Sequence, residues 1–507
     1  MKFILISIIA FIYINANSQT ISFGGHINTN TTWSADTVKI IDDVIIDNQA
    51  TLSIEAGTYI EFMAHYMIYV QGSINANGTI DDTITFTSAD TSGFNNELDT
   101  AGSWFGFKFI NTDATNDSSK LTYCKIQYVK DLPEQDSIQP GGAIVIEHFS
   151  KLTIEKCIIR NNKAENDYSY IGNGGAITMF ENSNPIIQNN IFYNNFASAN
   201  GGAIYCEKSN PKIISNIFYN NIAGDNSAGS GGALKLSFCD GNYTNDTIVS
   251  LISNNLIYNN HSYEGGGINS HCSSANFLNN TICNNSSSYG GGLYSRKAHP
   301  MFINTILYNN TAIEGYQIYI NHDASVCTPG NDPHFKNCDI EYGIDSIIIR
   351  NDQLFHGYFY NNLDTVPLFI NETANNYKLQ SFSPLINKGK SDSLDFEIPQ
   401  YDLAGNIRIL NDTIDIGAYE NQNLTKINYI NNNENVIIYP NPSSRYITVK
   451  TNDINKISIY NSIGKLVKVI NSPNNNLSID LNNFTRGIYF VKIYTNHSIT
   501  TTKLILE

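Results

Sequence analysis

Charged residues are scarce in this 507-residue chain: only 15% are Asp, Glu, Lys or Arg, and long charge runs are absent. Since 41% of the residues are hydrophobic, the low charge argues against a disordered chain. Helical periodicity is missing too, and no segment after residue 18 is apolar enough to predict a transmembrane span. The net charge of −16 disfavours nucleic acid and anionic membranes as partners.

No Cys-x-x-Cys pair occurs among the eight cysteines, so a zinc site is poorly supported. An even number of cysteines permits disulfides in an exported protein, and buried thiols in a stacked core are an equally good interpretation. The cysteines are Cys124, Cys157, Cys206, Cys239, Cys272, Cys283, Cys327 and Cys338. No cofactor is identified, although the acidic balance would suit Ca²⁺.

Residues 1–18 have the pattern of a secretory signal peptide. Lys2 supplies a positive start, residues 3–14 form a short apolar run, and Ala16 and Ser18 are small residues near a cleavage point. The apolar run is too short to span a bilayer comfortably. We therefore predict an exported protein whose folded part starts at residue 19.

The chain is rich in Asn, Ile, Thr, Ser and Tyr, and in its middle two short motifs recur. A Gly-Gly-Ala/Gly-aliphatic unit occurs at residues 141–144, 174–177, 201–204, 231–234, 265–268 and 290–293. The glycines of its first four copies are Gly141, Gly142, Gly174, Gly175, Gly201, Gly202, Gly231 and Gly232. A glycine pair supplies backbone angles that other residues resist, which predicts a tight corner in each repeat.

The second motif is an apolar stretch that ends in two asparagines, at residues 191–195, 217–221, 256–260, 281–285 and 306–310, with an earlier, looser copy at 157–162. Asparagine tolerates left-handed backbone geometry and can form amide ladders between stacked chains. Alignment of the repeats gives three columns that contain only large apolar residues. They are Ile154, Ile187, Ile213, Ile252, Phe277 and Phe302; Ile159, Phe192, Phe218, Ile257, Ile282 and Leu307; and Ile144, Ile177, Ile204, Leu234, Ile268 and Leu293.

These columns predict stacked coils, because each short run buries its apolar face only against its neighbours. Coils at a strand spacing of about 4.8 Å bury a continuous core and satisfy the backbone between them. A propeller would need blades of about 40 regular residues, and a leucine-rich repeat would need its own Leu frame. Neither pattern is present, so we predict a parallel β-helix.

The repeats resemble those of the chlamydial polymorphic outer-membrane proteins, which carry Gly-Gly-Ala-Ile and Phe-x-x-Asn motifs. Two copies fit the second motif fully, Phe192 to Asn195 and Phe218 to Asn221. The resemblance covers residues 141–310 and implies a right-handed β-helix of the kind that forms the outer part of adhesins. Residues 38–128 resemble the opening coils of such proteins, and residues 365–420 resemble a closing segment that could cap the solenoid.

The tail has a different pattern. Residues 421–435 are rich in Asn and form a predicted linker. Seven short strand-like runs follow, at residues 436–439, 446–450, 456–460, 466–470, 477–480, 488–494 and 500–506. They predict a small antiparallel sandwich over residues 436–507.

This tail resembles the C-terminal sorting domain of the Bacteroidota type IX secretion system. The motif residues are Tyr439, Pro440, Asn441, Pro442, Gly464, Gly487, Tyr489 and Lys503. The resemblance implies the type IX secretion machinery as a partner, passage through the periplasm, and release or anchoring at the outer cell surface.

An enzymatic β-helix would need a Lys or Arg base beside bound Ca²⁺ for a lyase, or two facing carboxylates for a glycosidase. Acidic residues of the repeats share no column, and the nearest bases, such as Arg160 and Lys235, adjoin no acidic pair. The catalytic and metal-binding residues therefore remain unassigned.

The sequence thus predicts an all-β chain, a right-handed parallel β-helix solenoid over residues 19–420 followed by a small antiparallel β-sandwich domain. We expect a secreted or surface-displayed adhesin or a protein that binds extended carbohydrate, with a polysaccharide or a host or cell surface as its partner. The alternative is a polysaccharide lyase or glycoside hydrolase.

Overall fold

In the computed structural model the described residues are 19–96, 99–132, 141–165, 172–224, 228–239, 249–323, 332–391, 398–410, 412–422, 437–450, 454–471, 476–495 and 499–507. The predicted signal peptide and residues 423–435 of the predicted linker lie outside them. The chain divides into two compact units, Met1–Asn423 and Leu424–Glu507. Among the described residues no helix is long and apolar enough to cross a membrane.

The first unit consists of coils that contribute one strand to each of three walls. The first wall contains Thr31–Trp33, Thr51–Ile54, Ser73–Asn77, Ser119–Thr122, Leu152–Glu155, Ile186–Gln188, Lys212–Ile214, Leu251–Ser253, Asn276–Leu278, Met301–Ile303, His334–Lys336 and Phe359–Tyr360. The second contains Tyr59–Phe62, Ile84–Ser88, Cys124–Gln127, Ile158–Arg160, Ile191–Tyr193, Ile217–Tyr219, Leu256–Tyr258, Thr281–Cys283, Ile306–Tyr308 and Asp339–Ile340.

The third wall follows the glycine corners. It contains Met67–Val70, Gly106–Phe109, Ile144–Glu147, Ile177–Phe180, Ile204–Glu207, Leu234–Ser237, Ile268–His271, Leu293–Arg296, Ile318–Asn321 and Ile347–Ile349. Two longer strands, Thr20–Ile27 and Thr37–Ile46, begin both the second and the third wall. Short strands join these two walls at Lys130–Asp131, Lys163–Ala164, Phe196–Ala197, Ile222–Ala223, His261–Ser262, Ser286–Tyr289 and Thr311–Glu314.

Neighbouring strands within the walls are parallel and in register, so equivalent residues stack. Ile191, Phe192 and Tyr193, for example, pair with Ile217, Phe218 and Tyr219. The three predicted apolar columns form the inner faces of the three walls, and every member has 0% exposure. The predicted parallel β-helix is therefore confirmed.

Two buried asparagine ladders connect the coils. One contains Asn190, Asn216, Asn255 and Asn280, and the other contains Asn162, Asn195, Asn221, Asn260, Asn285 and Asn310. Asn255 is typical: its Nδ2 donates to the Ile213 carbonyl and to Asn280 Oδ1, and its Oδ1 accepts from the main-chain N–H and the Nδ2 of Asn216. The amide thereby uses all of its hydrogen-bonding capacity inside the core.

Cysteines occupy the ladder position at the ends of the first ladder. At one end, the N–H of Cys157 donates to Asn190 Oδ1, and Cys157 Sγ accepts the N–H of Cys124. At the other end, Cys338 Sγ accepts the N–H of Thr305. The interpretation of the cysteines as buried thiols in the core therefore holds for six described cysteines, which are free and buried. Cys272, in contrast, is disulfide-bonded.

The glycine corners depend on two different constraints. Gly201 has a φ of +64°, which favours glycine, whereas the φ of Gly202 is not in that region. A Cβ on Gly202 would lie 2.2 Å from the carbonyl oxygen of Gly232 in the next coil. The first glycine thus supplies a backbone angle, and the second permits close approach of the coils.

The closing segment covers a flank of the solenoid. Two 3-10 helices, Gly343–Ser346 and Arg350–Asp352, precede it. The segment includes the antiparallel strands Phe369–Asn371 and Asn376–Leu379, and the 3-10 helix Glu372–Ala374 connects them. Its side chains pack on the outward face of the second wall. The contacting residues of that wall and of the segment are Leu256, Tyr258, Cys283, Ile306, Phe369, Tyr377, Leu379, Leu385 and Ile416.

The described part of this segment thus lies along a flank of the solenoid, and the expectation that the segment caps the end stays a prediction. The physical reason for the flank position is the second wall, whose outward side is apolar at Leu256 and Ile306 and needs a cover.

The buried carboxyl of Asp339 makes the stability of the solenoid depend on pH. Burial raises the pKa of its carboxyl from 3.8 to about 7, and hydrogen bonds from the N–H and hydroxyl of Thr365 oppose that rise. Its Oδ2 is buried without a hydrogen-bond partner. Because the folded form holds this proton more tightly than the unfolded form, the contribution of Asp339 to stability is fullest below about pH 4 and is lost as the pH rises to about 7.

We therefore expect Asp339→Asn to be more stable than the parent by about 1–3 kcal/mol at pH 8 and nearly equal to it at pH 4. Urea denaturation at the two pH values measures this difference. Asp81→Asn, at an exposed position, is the control. An equal effect of Asp339→Asn at both pH values would contradict the assignment.

The second unit is a two-layer antiparallel sandwich. One sheet contains Ile437–Tyr439, Tyr446–Lys450 and Asn476–Asp480, and the other contains Ile454–Asn461, Leu466–Asn471, Gly487–Thr495 and Ile499–Leu506. Ile447, Val449, Ile457, Val491 and Leu504 lie in the core between the sheets. All seven predicted strands are present, and the predicted sandwich is confirmed.

Candidate functional site

The outward face of the third wall carries the polar and aromatic side chains of the repeats. Strands in this wall alternate, so the residue after each core Ile or Leu points outward. In five successive coils these outward residues are Tyr205, Lys235, Asn269, Tyr294 and Tyr319. The predicted columns gave the inner face of this wall and did not reveal this outer row.

A groove lies beside the downstream end of this row. Its upstream part, of about 480 Å³, is lined by Tyr263, Glu264, Tyr289, Tyr294, Glu314, Tyr319, Asn321, Ile348, Ile349, Arg350 and Asn351. Its downstream part, of about 520 Å³, is lined by Ile313, Glu314, Gly315, Tyr316, Tyr342, Asp345, Ser346 and Ile348. Because Glu314 and Ile348 line both parts, the two parts adjoin each other.

Tyrosines line both parts of the groove. In the upstream part the ring centroids of Tyr289 and Tyr319 are 5.1 Å apart, and those of Tyr294 and Tyr319 are 5.5 Å apart. In the downstream part Tyr316 and Tyr342 are 53% and 55% exposed, with ring centroids 6.4 Å apart. These two rings leave large apolar surfaces open to solvent, next to carboxylates.

Polar groups of fixed position accompany the tyrosines. Asn321 Nδ2 donates to the Tyr294 hydroxyl over 2.8 Å, and burial raises the pKa of Tyr294, so this hydroxyl stays neutral. Glu264 and Glu314 bring carboxylates to the groove, and Arg350 Nη1 lies 3.0 Å from Asp323 Oδ2. The groove therefore offers hydrogen-bond donors and acceptors between aromatic surfaces.

Lys235 is a buried cation upstream of the groove. It is 8% exposed, and its Nζ donates to Asn269 Oδ1 over 2.7 Å. Burial lowers the pKa of Lys235 to about 8, while the nearby carboxylate of Glu264 opposes this shift and Arg296 adds to it. The ammonium is thus shielded from solvent.

A sequence signal for the groove existed in the residue that precedes each glycine corner. From the second copy onward these residues are Asn173, Asn200, Ser230, Glu264 and Tyr289, and Glu314 is paired with Tyr289 in the next coil. The position changes from small polar residues to Glu and Tyr at the coils that form the groove. Tyr342 and Asp345 lie after the last repeat and could not be aligned with it.

The repeat residues predicted from the sequence lie away from the groove, in the interior. The rings of Phe192 and Phe218 stack with centroids 4.8 Å apart, and Asn195 Nδ2 donates to Asn221 Oδ1 over 2.9 Å. Within the described residues no three His, Cys, Asp or Glu side chains lie close enough to hold a metal ion. The Ca²⁺ prediction has no assigned site.

One tail motif residue, Asn441, is hydrogen-bonded to the last strand of the sandwich. Asn441 Nδ2 donates to the carbonyl of Lys503, and Asn441 Oδ1 accepts the N–H of Ile505. Tyr489 lies in the core, and Gly464 forms a turn at a φ of +79°. Tyr439 ends the strand Ile437–Tyr439, and Pro440 and Pro442 follow it. Gly487 begins the strand Gly487–Thr495.

Fold and motifs together define a parallel β-helix protein with a sandwich tail. Residues 437–507 match the secretion system C-terminal sorting domain. Residues 25–129 match the pectate-lyase like beta helix domain, and residues 191–207 match the Chlamydia polymorphic membrane protein repeat. No curated protein matches the chain.

The predicted resemblances to β-helix proteins, to the chlamydial repeat and to the sorting domain are thereby confirmed. The chain is a secreted β-helix protein whose tail implies the type IX secretion machinery as a partner. Its destination is the cell surface or the extracellular space. A Bacteroidota origin stays a prediction.

Proposed function

We propose that this protein binds an extended carbohydrate at or beyond the cell surface, and that the tyrosine groove is its binding site. The observation that supports this is the pair of adjoining cavities with Tyr316 and Tyr342 exposed beside Glu314 and Asp345. Sugar rings have apolar faces that pack on aromatic rings and hydroxyl groups that bind carboxylates. The groove offers both kinds of contact.

The direction of the groove favours a polymer over a single sugar. Glu264, Tyr289 and Glu314 come from successive coils, and Tyr342 comes from the segment beyond them. With a coil spacing of about 4.8 Å, three intervals span about 14 Å. A chain of several sugars therefore fits along the groove, and a repetitive ligand would gain from multivalent contact.

Replacement of Tyr342 or Tyr316 by alanine should weaken binding about 5- to 30-fold, because each ring contributes about 1–2 kcal/mol of contact. The probes are xylan, β-glucan, mannan, chito-oligosaccharides, alginate and polygalacturonate, screened with the full secreted protein and then measured by calorimetry. The matched control is Tyr401→Ala, since Tyr401 is 50% exposed and lies outside the groove.

Two outcomes would count against the proposal. One is that none of the probes binds. The other is that the Tyr342 and Tyr401 variants bind the selected glycan with equal affinity. Retained binding to whole cells with no binding to any glycan would instead favour adhesion to a protein surface.

The second candidate is a polysaccharide lyase, and Lys235 is the observation that favours it. Its lowered pKa suits a general base near neutral pH. Its Nζ, however, is bonded to Asn269 and shielded. Incubation of the protein with the same glycans separates the two functions: unsaturated products that disappear in Lys235→Met would establish the lyase.

A further inference from the structure

Two buried thiols from successive coils of the third wall meet in the core. Cys206 belongs to the strand Ile204–Glu207, and Cys239 follows the next strand of that wall, Leu234–Ser237. Their Sγ atoms are 3.4 Å apart, and both side chains have 0% exposure. A disulfide has an S–S distance of about 2.05 Å, so the sulfurs need to approach by about 1.4 Å.

The other contacts of these thiols are weak. Cys206 Sγ lies 3.4 Å from the Ser209 carbonyl, and Cys239 Sγ lies 3.3 Å from the Ser237 carbonyl and 3.4 Å from that of Cys206. Sulfur forms only weak hydrogen bonds, so these contacts do not oppose rotation of the side chains towards each other.

The route of the protein exposes the pair to oxidation. The sorting tail directs the chain out of the cell, and oxidising compartments favour disulfides in exported proteins. Cys272 in the same solenoid is disulfide-bonded. Cys283 and Cys338 are also buried and free, which makes them useful references within the same chain.

We infer that Cys206 and Cys239 become a disulfide that links two successive coils during export. The oxidant is a protein or small-molecule disulfide. The thiolate of one cysteine attacks it and displaces one of its sulfurs as a thiol, and the second cysteine then displaces the other. One Sγ–Sγ bond forms and the S–S bond of the oxidant breaks; the two cysteine protons pass through solvent to the two sulfurs of the oxidant, which leave as thiols.

The bond has to form before the coils close completely. Both sulfurs lack solvent access in the folded coil, and burial raises the pKa of the Cys206 thiol. Exchange needs an accessible thiolate, so the folded, reduced protein should oxidise slowly. The link would join the coil of Tyr205 to the coil of Lys235, upstream of the groove.

Peptide mapping of the full secreted protein tests the inference. The protein is denatured, alkylated with iodoacetamide without reductant, digested and examined by mass spectrometry. The expected result is a peptide pair linked through Cys206 and Cys239, which separates after dithiothreitol, with Cys283 and Cys338 alkylated. Alkylation of both Cys206 and Cys239 in the unreduced sample would overturn it.

A pair of variants gives an independent measurement. Cys206→Ser and Cys239→Ser should each lower the urea midpoint of the oxidised protein and lose most of that difference when both samples are reduced. A midpoint difference that reduction leaves unchanged would indicate a packing role alone. If neither variant folds, the peptide map of the parent protein still decides.

Discussion

Alanine in place of Gly202 should destabilise the solenoid by about 3 kcal/mol or more. The added Cβ would lie 2.2 Å from the Gly232 carbonyl oxygen and 2.6–2.7 Å from backbone atoms of Ile222. These are backbone atoms of the next coil, so relief requires the coils to separate. Urea denaturation followed by circular dichroism measures the loss.

Gly405→Ala is the matched control for this prediction. Gly405 has a φ of +82° and no atom within 4 Å of an added Cβ, so its substitution tests backbone angle without collision. It should cost about 1 kcal/mol. If the two variants lose equal stability, close approach of the coils is not the constraint at Gly202.

Asn255→Leu should cost about 3–5 kcal/mol, although leucine has a similar volume and more apolar surface. The substitution removes four hydrogen bonds inside the core. It leaves the Ile213 carbonyl and two donors of Asn216 without this partner, while Asn280 Oδ1 keeps only the main-chain N–H of residue 255. Buried polar groups without partners incur their full desolvation penalty.

Asn276→Leu is the comparison, because Asn276 is half-buried on the outward side of the first wall. Its substitution should change stability by less than about 0.5 kcal/mol. Thermal and urea unfolding of both variants measure the difference. A stable Asn255→Leu protein with the parent's midpoint would show that the ladder is not required for stability.

The inner architecture could be predicted from the sequence because each repeat must satisfy the same constraint. A polar residue at Ile213 or Phe218 would face the shared core, so the columns contain only apolar residues. The tail strands were predictable for a related reason, since alternation separates the buried Ile447 and Val449 from the exposed Tyr446 and Lys450.

The groove and the covered flank could not be predicted in the same way. Tyr342 and Asp345 reach the groove from outside the repeat, so no column contains them. The packing of Phe369 and Tyr377 on the second wall depends on the chain reversing its direction after the last coil. Residue spacing records stacking within the repeat but does not encode where a returning segment lies.

The asparagine ladders also bear on how such a molecule can change in length. Each coil gives its neighbour the same amide hydrogen bonds that it receives from the coil on its other side, as Asn216, Asn255 and Asn280 show. Duplication or deletion of one whole coil would therefore restore an equivalent junction. The rod can be lengthened or shortened in whole-coil steps by recombination, while a change of part of a coil would shift every later junction.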